Sequence, residues 1–305
     1  MTARTPGYRH EAFPYAGHAE FVHSSAEFLR AGLRNDERAI LVAVADKAAD
    51  VRDELGPDGD LVAFVDMDTV GRNPSRIISV FQGFLAEQPG RPARGLGEPI
   101  YPGRSDEALV EAQLHELLLN SPVGDGWDFW LGCPYDTTAL DVDVLAEMRA
   151  SHPYTAGAAE QAYRADMLTE EMFATALPSA PSDARVHPVD ADDLAGPRRF
   201  LRAVAGELGL IGARVDDLIY AVNEVVTNSV RHGDGRPVLS VWTDQGRLVC
   251  DVRDGGWIRD ALVGRLAPPT SDTGGRGLWL VHNLCDLVQV RSAPGGTSVR
   301  MYLDY

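Results

Sequence analysis

Asn223-Glu224-Val225-Val226-Thr227-Asn228 is the stretch on which the reading of this 305-residue chain turns. The spacing of apolar residues around it predicts a helix over 215–231. Glu224 and Asn228 stand four residues apart and share one face, while Val222, Val225, Val226 and Val230 supply an apolar stripe. A carboxylate and an amide thus converge on a helix whose other side belongs in a core. Taken alone, the stretch reads more readily as an ordinary amphipathic helix with one solvated polar pair.

Two downstream segments change that balance. The apolar run 248–252 leads into Arg253-Asp254-Gly255-Gly256. A carboxylate at a strand end can accept a hydrogen bond from an exocyclic amine, and Gly256 lets a ligand approach the backbone closely. Next, Gly274-Gly275-Arg276-Gly277-Leu278 precedes a helix expected over 277–284. Free backbone N–H groups and the positive end of that helix suit a phosphate. Each segment is weak by itself, since Asp-Gly-Gly is most often a turn and glycine-rich loops are common. The surrounding pattern is two helices (192–208 and 215–231), strands at 238–243 and 248–252, the short helix, then strands at 287–292 and 297–303. Helices grouped with antiparallel hairpins imply a two-layer α/β sandwich.

Glu224-x-x-x-Asn228, Asp254-x-Gly256, Gly275-Arg276-Gly277-Leu278 and the final Gly296-Thr297, in this order, resemble the Bergerat-fold (histidine-kinase-like) GHKL ATPases. Within that superfamily the chain is most similar to the anti-sigma-factor serine/threonine kinases, over residues 186–305. The resemblance implies ATP and Mg²⁺ as cofactors. Asn228 would ligate Mg²⁺, Asp254 would read the adenine amine beside Gly256, and Thr297 would close the adenine pocket. Gly275, Arg276, Gly277 and Leu278 would form the phosphate loop, His232 would reach a phosphate, and residues 258–273 would be a mobile lid. Phosphoryl transfer also needs a residue that orients the attacking hydroxyl, and Glu224 is the candidate catalytic base. The implied substrate is a serine or threonine of a STAS-type anti-sigma-factor antagonist, with a sigma factor as a further partner. Homodimers are common among similar domains. One departure stands out: the family commonly has Asp-x-Gly-x-Gly, whereas Ile258 occupies the position of the second glycine. That departure favours an alternative, an ATP-binding but non-catalytic module that sequesters a partner. The retained Glu224 favours the kinase.

Residues 17–153 follow a different rule. Short apolar runs at 39–44, 61–65 and 127–131, with a further strand expected over 94–100, alternate with helices expected over 18–33, 45–55, 74–87, 105–119 and 140–150. That alternation implies a parallel sheet covered on both faces. Lys47, the only lysine, lies in Ala45-Asp46-Lys47-Ala48, and no G-x-x-x-x-G-K-[ST] loop exists, so this half is no working P-loop NTPase. His18-Ala19-Glu20-Phe21, Gly32-Leu33, Glu37, Gly97-Glu98 and Cys133-Pro134-Tyr135-Asp136 resemble the MEDS sensory domain over residues 10–153. This likeness implies a RecA-like α/β fold and sensing of a small-molecule signal. In open parallel sheets ligands gather beyond the carboxyl ends of the strands, which would place Glu98, Cys133, Tyr135 and Asp136 near a pocket. A helix over 158–176 and the Pro178-Ser179-Ala180-Pro181 stretch make residues 154–185 the linker.

Composition narrows the alternatives. A net charge of −17 argues against direct nucleic-acid binding, which rests on phosphate neutralisation. No run reaches the eighteen or so apolar residues that span a bilayer, and residues 1–15 lack a signal-peptide core, so a cytoplasmic location is expected. Three cysteines without C-x-x-C spacing argue against disulfides and structural zinc. A sensor histidine kinase is the rival enzyme reading, but it needs a phosphoacceptor histidine on a long helical hairpin. His152 and His187 are each followed by proline, and neither sits inside a helical pattern.

Overall fold

The computed structural model describes residues 7–121, 126–233, 236–268 and 275–305. The chain divides into two compact units, Met1–Thr169 and Glu170–Tyr305.

In the first unit the elements run β1 (Arg9–Tyr15), α1 (His18–Arg34), β2 (Arg38–Ala43), α2 (Ala45–Leu55), β3 (Val62–Asp66), α3 (Met67–Val70), α4 (Ile77–Ala86), β4 (Ala93–Gly97), α5 (Asp106–Leu118), β5 (Phe129–Asp136), α6 (Val142–Ser151), β6 (Tyr154–Thr155) and β7 (Ala158–Ala159). The strand order is β3-β2-β4-β5-β1-β6-β7. Every pairing from β3 to β6 is parallel, and only β7 runs antiparallel to its neighbour. Burial on both faces explains the composition of β2, in which Ala39, Ile40, Leu41, Val42 and Ala43 are all inaccessible. The apolar side of α1, with Phe21, Ala26 and Leu29, packs with Ala39, Leu41 and Ala43 of β2 and with Val51 and Leu55 of α2.

Three local expectations change. β1 lies inside the sheet although its sequence, RHEAFPY, has no apolar run. β5 continues through Cys133, Pro134 and Tyr135 to Asp136, beyond the expected end of this strand at 131. The helix expected over 158–176 shrinks to α7 (Ala165–Ala174), because Ala156 and Gly157 both adopt positive φ and form the turn between β6 and β7.

The second unit continues with β8 (Arg185–Pro188), α8 (Gly196–Glu207), α9 (Ala213–His232), β9 (Val238–Asp244), β10 (Arg247–Asp254), α10 (Arg276–Leu284), β11 (Leu287–Ala293) and β12 (Gly296–Asp304). The sheet order is β11-β12-β10-β9-β8, antiparallel throughout. Strand alternation sends Leu248, Cys250 and Val252 of β10 and Val299, Met301 and Leu303 of β12 to the helical layer. There they meet Leu218, Ile219, Val222, Val225 and Val226 of α9 and Leu201, Val204 and Ala205 of α8. Asp251 is buried on the opposite face, where it accepts hydrogen bonds from Ser298, Arg253 and Arg300. The two arginines also donate to the carbonyl of Pro178, so the linker is fixed to this sheet where it leaves α7. Among the described residues, no helix is long and apolar enough to cross a membrane.

Candidate functional site

Helical geometry brings the decisive residues of α9 to one cavity. Tyr220, Glu224, Asn228 and His232 recur at four-residue intervals, and all four line a cavity of about 620 Å³. The opposite side of the same helix is the apolar stripe that holds it against the sheet. Asp254, Gly256 and Thr297 enter from the ends of β10 and β12, and Gly275, Arg276, Gly277 and Leu278 from the start of α10. Every residue that the sequence assigns to the nucleotide site therefore lines one space. That volume lies within the range usual for small-molecule and cofactor sites.

Glycines set how closely the walls approach. A Cβ on Gly277 would stand 3.0 Å from Asn228 Nδ2 and 3.2 Å from Glu224 Oε2, so any other residue there would press on both side chains. Gly275 caps α10 in the left-handed conformation, φ 76°, and no side chain caps the helix there. The first turn of α10 thus borders the cavity across from a carboxylate and an amide, an arrangement suited to phosphate and a metal ion. At the other end, Asp254 Oδ1 accepts from the Gly256 N–H at 2.6 Å. A Cβ on Gly256 would lie 2.9 Å from the Cα of Gly233. Gly233, the residue that ends α9, was not singled out in the sequence. A glycine directly after a helical run is the signal that could have found it.

Thr297 acts through its neighbours. Its hydroxyl donates to the carbonyl of Gly256 at 2.9 Å, so the 2.6 Å contact with Ser292 must have Ser292 as donor. Ser292 Oγ in turn accepts the Ile258 N–H at 2.8 Å. This chain ties the segment after Asp254 to β11 and β12, and it explains Ile258. Its N–H is bonded, its side chain packs against the core, and it is absent from the positive-φ residues, so no glycine is required there. Ala261 and Val263 pack on the same core, and Gly264, φ 74°, would bring a Cβ within 2.7 Å of Leu278 Cβ. The described part of the expected lid, residues 258–268, is thus tied to β11 at Ile258, packs on the core at Ala261 and Val263, and meets α10 at Gly264. Residues 269–273 of that lid and Gly274 of the phosphate loop lie outside the described residues.

In the first unit, the residues expected near a pocket have separate roles. Glu98, buried at the carboxyl end of β4, accepts hydrogen bonds from Tyr15 at 2.5 Å and Lys47 at 2.6 Å. Burial pushes its carboxyl above the ordinary value, against the pull of the Lys47 charge. Chain connections leave β2 and β4 in opposite directions, so this pair sits at the topological switch point of the sheet. Asp136 holds a turn by accepting from Thr138 and Gly17. Cys133 and Tyr135 are fully buried.

Comparison with known proteins agrees with these two architectures. Residues 9–153 match the family model of MEDS, the methanogen/methylotroph, DcmR sensory domain, and residues 187–303 match that of the histidine kinase-like ATPase domain. The chain is a MEDS domain followed by a histidine kinase-like ATPase domain. No curated protein matches it. Among solved structures, the RsbU and RsbW domains of a Mycobacterium tuberculosis protein align at 22% identity with a TM-score of 0.31, over 41% of this chain and 33% of that one. The chain therefore spans about a third of that relative. The Acinetobacter baumannii histidine kinase AdeS aligns at 12% identity with a TM-score of 0.23, over 39% of this chain and 67% of that one.

Proposed function

We propose that the second unit binds Mg-ATP and transfers its γ-phosphate to a serine or threonine of an anti-sigma-factor antagonist, under control of a signal received by the first unit. The observation that carries this reading is the single cavity in which α9 presents Glu224 and Asn228 to the open N-terminus of α10. The ATPase family implies the nucleotide, and the donor set suits it. Asp254 keeps one carboxylate oxygen for an adenine amine while the other is held by Gly256. Asn228 would hold Mg²⁺, which neutralises phosphate charge when bound. Glu224 lies one helical turn before Asn228, where a carboxylate can accept the proton of an attacking hydroxyl. Gly275 and Gly277 keep side chains out of the phosphate path.

The non-catalytic alternative drew its support from Ile258, and the packing of Ile258 without backbone strain removes much of that support. A histidine-kinase mechanism is disfavoured by His152, which is fully buried at the end of α6, and by His187, which lies in β8 stacked on Phe200. The deciding experiment supplies γ-labelled ATP and STAS-type antagonist proteins to the wild type and Glu224→Gln. Serine or threonine labelling that Glu224→Gln abolishes while ATP still binds supports the kinase. Saturable ATP binding with no label in any wild-type reaction would leave partner sequestration as the function.

A further inference from the structure

Four side chains from distant parts of the first unit meet in its interior: His10 of β1, Glu116 of α5, Cys133 of β5 and His152 at the end of α6. All are at most 2% exposed, and one potential ligand atom from each lies within 4.8 Å of the others. His10 Nε2 is 3.1 Å from Glu116 Oε2 and 3.2 Å from Cys133 Sγ, and His152 Nε2 is 3.2 Å from the same carboxylate oxygen.

Neighbouring groups fix both imidazole tautomers. The Asn120 amide nitrogen donates to the carbonyls of Glu116, Leu117 and Ser151, so its oxygen must face His10 Nδ1, 3.0 Å away. His10 Nδ1 therefore carries the proton. His152 Nδ1 lies 2.9 Å from the carbonyl of Met148, which can only accept, so its proton is on Nδ1 as well. With these tautomers each Nε2 carries a lone pair: that of His10 faces the Glu116 carboxylate and the Cys133 sulfur, and that of His152 faces the same carboxylate oxygen. The Cys133 thiol can donate to His10 Nε2, but no proton is then left to lie between the carboxylate and either imidazole lone pair. Glu116 Oε1 and His152 Nε2 are buried without a hydrogen-bond partner.

We infer that His10, Glu116, Cys133 and His152 form a tetrahedral transition-metal site of the zinc class. Bond lengths of about 2.0–2.3 Å put tetrahedral ligand atoms roughly 3.3–3.6 Å apart, close to the contacts of 3.1, 3.2 and 3.2 Å that Glu116 and Cys133 make with the two histidines, and the four ligand atoms all lie within 4.8 Å of one another. Imidazole, thiolate and carboxylate together suit Zn²⁺ and its soft neighbours and disfavour Mg²⁺ or Ca²⁺. A divalent ion cancels the charges of one thiolate and one carboxylate, which leaves the dry interior neutral. Binding displaces one proton, from the Cys133 thiol to solvent, and involves no change of oxidation state. Asn120 and the Met148 carbonyl supply the outer hydrogen bonds that orient metal-bound histidines. With four protein ligands the site is closed, so the ion joins β1, α5, β5 and α6 as a structural cross-link.

The test uses the full chain, stripped with a chelator and titrated with Co²⁺ and then Zn²⁺. One equivalent of Co²⁺ should bind with the visible bands of tetrahedral coordination and a thiolate-to-cobalt charge-transfer band, and Zn²⁺ should displace it and raise the melting temperature. Cys133→Ser should lose the charge-transfer band. Asn120→Ala, which removes no ligand, should keep the band but weaken affinity about 10- to 100-fold. The assignment is overturned if the folded wild type takes up no stoichiometric Co²⁺ or Zn²⁺, or if the charge-transfer band survives in Cys133→Ser. In either case the quartet is a buried hydrogen-bonded cluster only.

Discussion

Gly277 lies against Asn228 so closely that a single added carbon would stand 3.0 Å from the amide nitrogen. This contact joins the start of α10 to the middle of α9. It separates two properties that most substitutions change together, because Gly277 lies in the first turn of a helix, where alanine is intrinsically favoured by about 1 kcal/mol.

Gly277→Ala should therefore retain the fold and lose the ligand. Unfolding by urea should show stability equal to or slightly above the wild type, while ATP affinity falls at least tenfold. Equal ATP affinity in the two proteins would mean that the space beside Asn228 and Glu224 does not receive the phosphates.

Asp254→Ala should weaken ATP binding by about 1.5–3 kcal/mol, the usual worth of a hydrogen bond to a charged group. Because the carboxylate is assigned to the adenine amine, the loss should be larger for ATP than for GTP. Competition binding of the two nucleotides measures the difference, and an equal loss for both would move Asp254 out of the base pocket.

Lys47→Met should destabilise the first unit in a pH-dependent way. Glu98 has a raised pKa in the native state, so between the ordinary carboxyl value and that raised value the native protein holds a proton that the unfolded chain lacks. Stability therefore falls as pH rises through this window. Lys47 is the first influence opposing burial at Glu98, so its removal extends the window upward. A loss of about 3 kcal/mol is expected above this window, where Glu98 would be a buried charge without its cation, and much of it should return below the window. Denaturation at one pH value on either side of the window checks this, with Lys47→Met/Glu98→Gln expected to be insensitive to pH. The same loss at both pH values would show that Lys47 acts through packing.

Glu224→Gln should lower any phosphate transfer by about 10²–10⁴, the usual contribution of a general base, with ATP affinity changed less than threefold. Single-turnover labelling beside equilibrium binding separates the two effects. A parallel fall in both would make Glu224 a ligand-binding residue and not a base.

The second unit is the more legible of the two because the residues that line its cavity lie in short local stretches. Glu224 and Asn228 share one helix, Asp254 follows one strand, and Gly275 to Leu278 open another helix, so each piece is visible within a few residues. Gly233 and Ser292 escaped because their importance arises from contacts across the sheet, to Gly256 and Thr297. In the first unit, β1 was illegible because His10 and Glu11 are polar yet buried, and Pro14 argues against an interior strand. The same polarity conceals the metal quartet. Its members come from four elements separated by long stretches of chain, so no ligand spacing appears in the sequence, and only the parallel pairing of β1 with β5 sets His10 near Cys133.

The most direct test of the ATP site is calorimetric titration of Mg-ATP into the wild type and Asn228→Ala. Saturable one-to-one binding to the wild type, lost or weakened at least tenfold in the variant and reduced when Mg²⁺ is chelated, is the expected result. No heat of binding to the folded wild type at millimolar Mg-ATP would contradict the nucleotide site itself.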